Sequence, residues 1–293
     1  MTITNKCFIC EGSCSKHVLS NGYLYWICNS CHTAQVFPQP SQDALQDFYN
    51  TFHLSKNDGG TYEEYDDRMR ADFPSKIALV LKHSPVNAPI KLLDVGCGKG
   101  YFIREAINAG INATGIDLSN SAIEYATKKL NVPATIGSIE NLCNEYYEKF
   151  DVITFWATIE HLPNPEIVLA AIYKCLKPNG VLLCDTGLGD IMSERLLCGH
   201  SQWYDAPQHL FVFSQKGMQS LLKKVGFDIK YIDVNFERTL SRRFIRWLRH
   251  SLICTLSFFV FRPLLGKNHF LIMQESTKWP IGRLMLFIAK KKI

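Results

Sequence analysis

The chain has 293 residues, of which 47% are hydrophobic and 20% charged, and its formal net charge is +5 at pH 7. This composition is that of a globular protein with one or two domains, and it excludes wholesale disorder and fibrous repeats. The charge is uneven: residues 241–293 contain eleven Lys or Arg and one acid, a formal +10, whereas residues 1–240 carry −5. We expect this basic tail (residues 241–293) to meet an anionic group, such as a phospholipid headgroup or a phosphorylated substrate.

Cysteine usage bears on the compartment. Five of the eleven cysteines lie within residues 7–31, and residues 1–15 lack the long apolar core of a secretory signal. We therefore expect a reducing, cytoplasmic setting, in which clustered cysteines bind metal more often than they form disulfides. The charge of the basic tail is also compatible with a location of the protein at the inner face of the membrane. Its longest uncharged run, Ser251–Phe261, is too short for a bilayer that needs about 20 residues.

The first segment, the cysteine module (residues 1–40), contains two CxxC pairs separated by seventeen residues. Four thiolates at this spacing predict a closed, tetrahedral, structural zinc site, with Cys14 and His32 as spare ligands. The predicted ligands are Cys7, Cys10, Cys28 and Cys31. Tyr23–Ile27 between the pairs favours a strand. We expect no nucleic-acid partner, because the module contains only two cations, both lysines.

Residues 41–87 are predicted to form a helical linker and lid. A short helix is expected over Ser41–Tyr49 with Ser41 as its N-cap, and another over about Pro74–Lys82. Residues 53–62, with Asp58-Gly59-Gly60, favour a linker. Tyr49 and Tyr62 are candidates to line an acceptor pocket.

The middle of the chain alternates apolar strands with helices, which predicts an α/β fold with a parallel sheet covered on both faces. The predicted strands are Ile90–Val95, Asn112–Ile116, Ala134–Ile136, Phe150–Trp156 and Val181–Cys184. The predicted helices are Tyr101–Ala109, Ser121–Leu130 and Glu166–Leu176. After a long connection over residues 186–213, we expect helix Gln215–Val225, strand Phe227–Asn235 and a final strand over His269–Glu275. In the basic tail, Arg242, Arg246 and Arg249 share one face of a predicted amphipathic helix, which suits either a lid or a membrane surface.

The strongest chemical signal is the glycine loop (residues 94–100), Asp94-Val95-Gly96-Cys97-Gly98-Lys99-Gly100, between a strand and a helix. Glycines there let a ligand approach the backbone, and exposed N–H groups make the helix start electropositive. The dinucleotide pattern GxGxxG would need a third glycine at position 101, which is Tyr101. An acid at the strand end repels a pyrophosphate but suits the ammonium group of S-adenosylmethionine. Asp117, at the end of the next strand, can accept hydrogen bonds from ribose hydroxyls.

Together with Glu160-His161-Leu162-Pro163 and Lys177-Pro178-Asn179-Gly180, these motifs resemble class I S-adenosylmethionine-dependent methyltransferases over about residues 88–236. The branches most similar are the ubiquinone-biosynthesis-like and polysaccharide-cluster enzymes. The cysteine module likewise resembles a zinc-binding segment that precedes sugar methyltransferases. The resemblance implies a doubly wound, mostly parallel, seven-stranded Rossmann-like sheet over residues 88–240. The small zinc-ribbon-like module would precede this core, and a basic helical insertion in residues 241–293 would complete the chain.

The resemblance also implies residue roles. The methionine part of the cofactor would be surrounded by Asp94, Gly96, Cys97, Gly98 and Gly100. Asp117 would hold the ribose, Leu118 would pack on the adenine, and Ser138 and Ile139 would edge it. Trp156 and Ala157 would form the floor of the methyl-transfer site. For a hydroxyl nucleophile, His161 and His209 are the candidate bases.

The implied reaction is methyl transfer to a small molecule, which could be phosphorylated or lipid-linked. The first expectation is a sugar hydroxyl or carbon. The alternatives are O-methylation of a quinone-like or other small aromatic, and a non-catalytic ligand-binding protein that retains the fold.

Overall fold

The computed structural model describes residues 6–41, 43–45, 47–48, 72–85, 89–189, 203–233 and 283–292. These residues form two sheets, one of seven strands and one of four, with helices between the strands. No helix among them is both long and apolar enough to cross a bilayer.

The seven-stranded sheet is the centre of the molecule. Its strands are β4 (Lys91–Val95), β5 (Asn112–Asp117), β6 (Ala134–Ile136), β7 (Phe150–Trp156), β8 (Leu176–Leu188), β10 (Phe227–Asp233) and β11 (Arg283–Lys291). The spatial order is β10-β11-β8-β7-β4-β5-β6. The strands β4 to β8 are parallel, and β11 is antiparallel to both β8 and β10. This confirms the mostly parallel seven-stranded α/β sheet.

Helices cover both faces of this sheet. They are α1 (Phe73–His83), α2 (Tyr101–Asn108), α3 (Asn120–Lys128), α4 (Ile139–Leu142), α5 (Pro165–Cys175) and α6 (Gln215–Val225). Successive strand residues point to opposite faces, so Leu92 and Leu93 belong to separate apolar cores. Serine N-caps fix three helix starts: Ser119, Ser138 and Ser214 accept hydrogen bonds from backbone N–H groups within α3, α4 and α6.

The four-stranded sheet is antiparallel and joins distant parts of the chain. Its order is β1-β2-β3-β9, where β1 is Cys14–Ser20, β2 is Tyr23–Cys28, β3 is Ala34–Val36 and β9 is Phe211–Val212. Only β2 was predicted as a strand of the cysteine module. Because β9 follows β8 in the chain and pairs with β3, the module's sheet is completed by a strand from the core.

One predicted strand needs correction, and one strand of the sheet was not predicted. Strand β8 was predicted over Val181–Cys184, and it extends further at both ends; its register slips between Leu176 and Val181, where Asn179 has a φ of +67°. The last strand is Arg283–Lys291, whose apolar stretch Leu284–Ala289 lies between β8 and β10 and was not predicted as a strand. The predicted strand over His269–Glu275, the basic helix and Tyr49 and Tyr62 lie outside the described residues. Among the described residues near position 41, Ser41 accepts a hydrogen bond from the N–H of Ala44, as an N-cap does.

Candidate functional site

The glycine loop lies at the carboxyl end of β4, where the strand order reverses between β4 and β7. Ligands bind at this position in open α/β sheets. Gly96, Gly98 and Gly100 have φ values of +72°, +51° and +77°, a region that favours glycine. A Cβ on Gly100 would lie 2.7 Å from Val132, and one on Gly96 would lie 2.7 Å from Thr158. A Cβ on Gly98 would meet no atom of the described residues within 4 Å, which leaves room there for a ligand.

Asp117 holds this loop in place. One carboxylate oxygen accepts a hydrogen bond from Gly98 N at 2.8 Å, and the other accepts one from Ser119 N at 2.8 Å. The next residue, Leu118, has 69% of its surface exposed, which is unusual for leucine and suits a side chain that covers a ligand. The acid therefore joins the glycine loop to the start of α3, and the exposed leucine lies between them in the chain.

Cys97 contributes packing rather than reactivity. Its thiol is buried, and burial raises the pKa well above that of an ordinary cysteine. The side chain lies under Gly115, where an added Cβ would come within 2.6 Å of Cys97 Cβ. The Cys97 side chain therefore leaves no room for a side chain at position 115 of β5, where the sequence has a glycine.

Asp94 is 3% exposed and accepts a hydrogen bond from Thr154 Oγ1 at 2.7 Å. Burial raises the pKa of Asp94 to about 7, although the hydrogen bond from Thr154 and the charge of Lys76 oppose that rise. Since the carboxyl group loses a proton near neutral pH, a cation brought close to it would favour its charged form. This behaviour fits an acid that meets an ammonium group.

Ser138 and Ile139 lie further along the same edge. Ser138 caps α4 by accepting a hydrogen bond from Asn141 N at 3.4 Å. Ile139 is 2% exposed and packs in the apolar core, so its side chain contributes to packing rather than to the surface of the site.

The floor of the predicted methyl-transfer site follows β7. Trp156 is 8% exposed, and Ala157 has a φ of +44°, which a residue with a Cβ rarely adopts. The N–H of Ala157 donates to Asp185 Oδ1 at 2.7 Å. Beyond it, Thr158 Oγ1 donates to Trp156 O at 2.8 Å. The chain therefore turns sharply at Ala157 and brings Thr158 against Gly96.

Sequence reasoning missed a buried ion pair at this floor. Lys76 Nζ lies 2.9 Å from Asp185 Oδ2, with side-chain exposures of 3% and 2%, and it lies 4.3 Å from the centroid of the Trp156 ring. No sequence motif marks either residue, although a lysine on the apolar face of the predicted α1 was a signal that could have been used.

Besides the Lys76–Asp185 ion pair, a second cluster of polar side chains consists of one carboxylate and two histidines. Glu160, His161 and His209 each place a donor atom within 4.8 Å of the other two, a set that can pass a proton and that transition metals also accept. Burial raises the pKa of Glu160 to about 7. Its Oε2 accepts a hydrogen bond from Thr186 Oγ1 at 2.9 Å, whereas its buried Oε1 has no hydrogen-bond partner among the described residues.

The two histidines are oriented by backbone carbonyls. Nδ1 of His161 lies 2.7 Å from Gln208 O, and Nδ1 of His209 lies 3.0 Å from Trp203 O. Because a carbonyl only accepts, each Nδ1 carries the proton and each Nε2 is the basic nitrogen. Burial lowers the pKa of both rings, to about 3 for His209, so both are neutral at pH 7.

The four cysteines predicted to bind zinc come together. The sulfur atoms of this set all lie within 4.8 Å of one another: Cys7, Cys10, Cys28 and Cys31. Backbone N–H groups of Ile9, Ser30 and Cys31 point at two of the sulfurs, at 3.3–3.4 Å. Four clustered thiols with N–H donors to sulfur fit a tetrahedral zinc ion. Neither Cys14 nor His32 belongs to this group.

The cysteine module is hydrogen-bonded to the histidine segment (residues 203–214). Tyr25 Oη donates to His209 O at 2.6 Å, and Ser20 Oγ donates to Tyr204 O at 2.6 Å. The hydroxyl of Ser214 donates to the carbonyl of Cys31, one of the clustered cysteines. The module, the histidine segment and the start of α6 therefore form one packed unit.

Comparison with known proteins agrees with this geometry. Residues 65–232, more than half of the chain, match the family described as "Methyltransferase domain". The chain belongs to that family, and its sheet order and glycine loop place it among the class I S-adenosylmethionine-dependent methyltransferases.

Among curated proteins, the ubiquinone biosynthesis O-methyltransferase of Actinobacillus pleuropneumoniae is 36% identical over 105 residues, which cover 33% of this chain and 45% of that protein. The protein of the same name from Thiobacillus denitrificans is 34% identical over 116 residues, covering 37% and 50%. The chain thus spans about half the length of the curated relatives it matches.

Solved structures share the fold at low identity. A methyltransferase from Archaeoglobus fulgidus superposes with a TM-score of 0.51 at 17% identity, covering 78% of this chain and 99% of that one. The cyclase SpnF superposes with a TM-score of 0.53 at 17% identity, covering 87% and 98%. Because a cyclase has the same fold, the fold alone does not define the reaction.

Proposed function

We propose that the protein transfers a methyl group from S-adenosylmethionine to a hydroxyl group of a small molecule. The observation that carries this proposal is the free space at Gly98 among the described residues, beside the Asp117 carboxylate that the Gly98 N–H contacts. When bound there, the cofactor supplies its methyl group: the sulfur–carbon bond breaks as the oxygen–carbon bond forms, and the hydroxyl proton is released.

The residues of the chain bind and orient the cofactor. Asp94 faces the ammonium group, and the glycine loop admits the methionine part against its backbone. Asp117 holds the ribose while keeping the loop in place through Gly98. Trp156 and Ala157 form a floor that keeps water away from the transferring group. Holding two reactants in line supplies on the order of 7–11 kcal/mol in well-oriented systems.

The hydroxyl proton goes to the Glu160–histidine group. His161 and His209 both offer a neutral Nε2, and burial raises the pKa of Glu160 to about 7. A base whose pKa matches the working pH is the most effective, so Glu160 is a stronger candidate than sequence reasoning suggested. His209, whose pKa burial lowers to about 3, suits orienting the acceptor better than retaining a proton.

The first acceptor class to test is a phenolic or quinone-like ring. The curated relatives are named for ubiquinone biosynthesis, which favours this alternative over the sugar that the sequence first suggested. A sugar hydroxyl is the second class, because the cysteine module resembles a segment found ahead of sugar methyltransferases, and its four sulfurs are clustered.

Turnover with two acceptor panels distinguishes these classes. The full-length protein is incubated with S-adenosylmethionine and either catechol-type phenols or nucleotide-linked and free sugars, and products are detected by mass spectrometry. A mass gain of one methyl on a phenol supports the first class. A gain only on sugars overturns it, and cofactor binding without transfer to either supports the non-catalytic alternative.

We further propose that the four clustered cysteines hold one structural zinc ion. Metal analysis of the purified protein should give about one equivalent per chain, with loss of the metal in Cys28→Ser. Cys14→Ser is the matched control, since Cys14 is buried nearby but lies outside the group. Less than half an equivalent in the wild type would contradict the proposal.

We also propose a cytoplasmic location, which rests on the clustered cysteines. The charge of the basic tail supports two further proposals: contact with a phosphorylated or lipid-linked acceptor, and peripheral contact with the membrane.

A further inference from the structure

Three carboxylates are buried together at the carboxyl edge of the sheet. Asp94, Glu160 and Asp185 are between 1% and 3% exposed. The buried cations among the described residues are Lys76 and Lys291, and Lys291 donates to Leu176 O at the opposite edge. Lys76 is therefore the buried counterion at this edge in the part of the chain that the structure describes.

Lys76 comes from α1, outside the strands that carry the glycine loop and the floor. Its ammonium contacts Asp185 Oδ2 at 2.9 Å and lies over the Trp156 ring. The other carboxylate oxygen of Asp185 accepts the N–H of Ala157 at 2.7 Å, and the same N–H lies 3.2 Å from the backbone carbonyl of Asp185. The two oxygens of one carboxylate thus connect the lysine to the residue that turns the chain after β7.

Ala157 needs such support. A residue with a Cβ at a φ of +44° is held in a rarely populated conformation, which persists only where its surroundings enforce it. Asp185 lies opposite Trp156 in the register of β7 and β8, so its carboxylate is placed at the turn. This turn at Ala157 also places Thr158 against the glycine loop. A Cβ added to Gly96 would lie only 2.7 Å from the Thr158 side chain.

We propose that Lys76 is a positioning residue of the cofactor site: through Asp185 it holds Ala157 in its left-handed conformation and so fixes the floor against the glycine loop. Removing the ammonium leaves a buried carboxylate without its counterion, which admits water or turns away. Either change weakens the hydrogen bond that Ala157 N donates to the Asp185 side chain, whereas the contact with the Asp185 carbonyl remains. The inference rests on the proposed function for its effect on cofactor binding, but not for its effect on Ala157.

Four variants test the proposal: K76M, D185N, the double variant K76M/D185N, and K82M as the matched control. Lys82 lies on the same helix but is exposed. In the double variant no buried charge is left unpaired, and the introduced amide oxygen can still accept from Ala157 N. Hydrogen exchange of the peptide containing Ala157 is measured without ligand, and the dissociation constant for S-adenosylmethionine is measured by calorimetry.

We expect K76M to speed exchange at Ala157 and to weaken cofactor binding about tenfold to hundredfold, as a displaced site does. K76M/D185N should recover most of both losses, and K82M should behave as the wild type. If K76M does not fold, D185N is compared with the double variant in its place. D185N also leaves one buried charge without its partner, in this case the ammonium of Lys76.

The proposal is overturned if the single variants leave exchange at Ala157 unchanged, or if the double variant, folded with the wild-type melting temperature, is no better than the single variants. Absence of cofactor binding in the wild type would refute the proposed function, while the exchange data would still decide the role of Lys76.

Discussion

Gly98 and Gly100 lie two residues apart, and both have a positive φ, yet their surroundings differ. A Cβ at Gly98 would contact none of the residues that the structure describes, whereas at Gly100 it would approach Val132 to 2.7 Å and Ala126 to 3.0 Å. One glycine therefore makes room for a ligand, and the other permits close packing of α2 against the neighbouring α3 region.

Gly98→Ala should cost about 1–2 kcal/mol of stability, the strain of a left-handed residue. It should weaken binding of S-adenosylmethionine more than tenfold, because the new methyl group occupies ligand space. Gly100→Ala should cost about 1–3 kcal/mol beyond that strain through overpacking. Chemical denaturation and calorimetry on both variants check this contrast. Equal binding by Gly98→Ala and the wild type would show that the ligand does not lie there.

Asp94 gives the site a pH dependence. Its pKa, raised by burial to about 7, lies above the ordinary value of about 4, so the folded chain keeps a proton that the unfolded chain loses. The stabilising effect of Asp94 is thus complete below about pH 4 and is lost as the pH rises through about 7. Affinity for the cationic ligand should change in the opposite sense, rising between pH 6 and 8.

Calorimetry across this pH range tests the assignment, with Asp94→Asn as the control. The variant should bind weakly and should lose the pH dependence. A slope that persists in Asp94→Asn belongs to another group, and Glu160, with a pKa also near 7, is the next to examine.

At the scale of elements, the cysteine module and the histidine segment depend on each other. Strand β3 pairs with β9, Tyr25 donates to the carbonyl of His209, and Ser214 donates to the carbonyl of Cys31. If metal binding orders the module, it also orders the segment that places His209 beside His161.

Removal of the metal by a chelator, or Cys28→Ser, should therefore raise hydrogen exchange in residues 203–214 while leaving β4 and β5 protected. Cys14→Ser provides the control. Tyr25→Phe should give a smaller increase confined to the neighbourhood of His209, since only one hydrogen bond is lost. Unchanged exchange in the histidine segment after complete metal loss would show that the module does not support it.

Local patterns predicted much of this architecture, because caps, glycines and apolar runs act over a few residues. Ser41 as an N-cap and the strand Phe150–Trp156 are examples. The four-stranded sheet was predicted only at β2, since β9 is a two-residue strand whose pairing depends on a partner far away in the chain. Lys76 and Asp185 were missed for the same reason: their contact exists only in the folded protein.

The whole molecule depends on its last described strand. Strand β11 lies between β8 and β10, and Met285 to Ala289 are at most 1% exposed. Lys291, one of the basic residues of the tail, donates to Leu176 O at 2.7 Å within the fold. Part of the tail's charge is thus structural.

Deletion of residues 241–293 should abolish folding, because it removes a strand from inside the sheet. Charge reversal at Arg242, Arg246 and Arg249 leaves β11 in place and is the proper test of membrane contact. We expect the reversed protein to keep the wild-type melting temperature and to float less with vesicles containing anionic lipid. Equal flotation of both proteins would refute a membrane role for these arginines.

The central claim is that the glycine loop and Asp117 bind S-adenosylmethionine. Isothermal titration of the full-length protein with this ligand tests it most directly, with a nicotinamide dinucleotide as the competing ligand and Asp117→Ala as the variant. Asp228, which is half-buried and remote on β10, provides the control substitution Asp228→Ala. We predict one saturable site for S-adenosylmethionine, no heat with the dinucleotide, and loss of binding only in Asp117→Ala. A folded wild type that ignores S-adenosylmethionine, or that binds the dinucleotide instead, would contradict the claim.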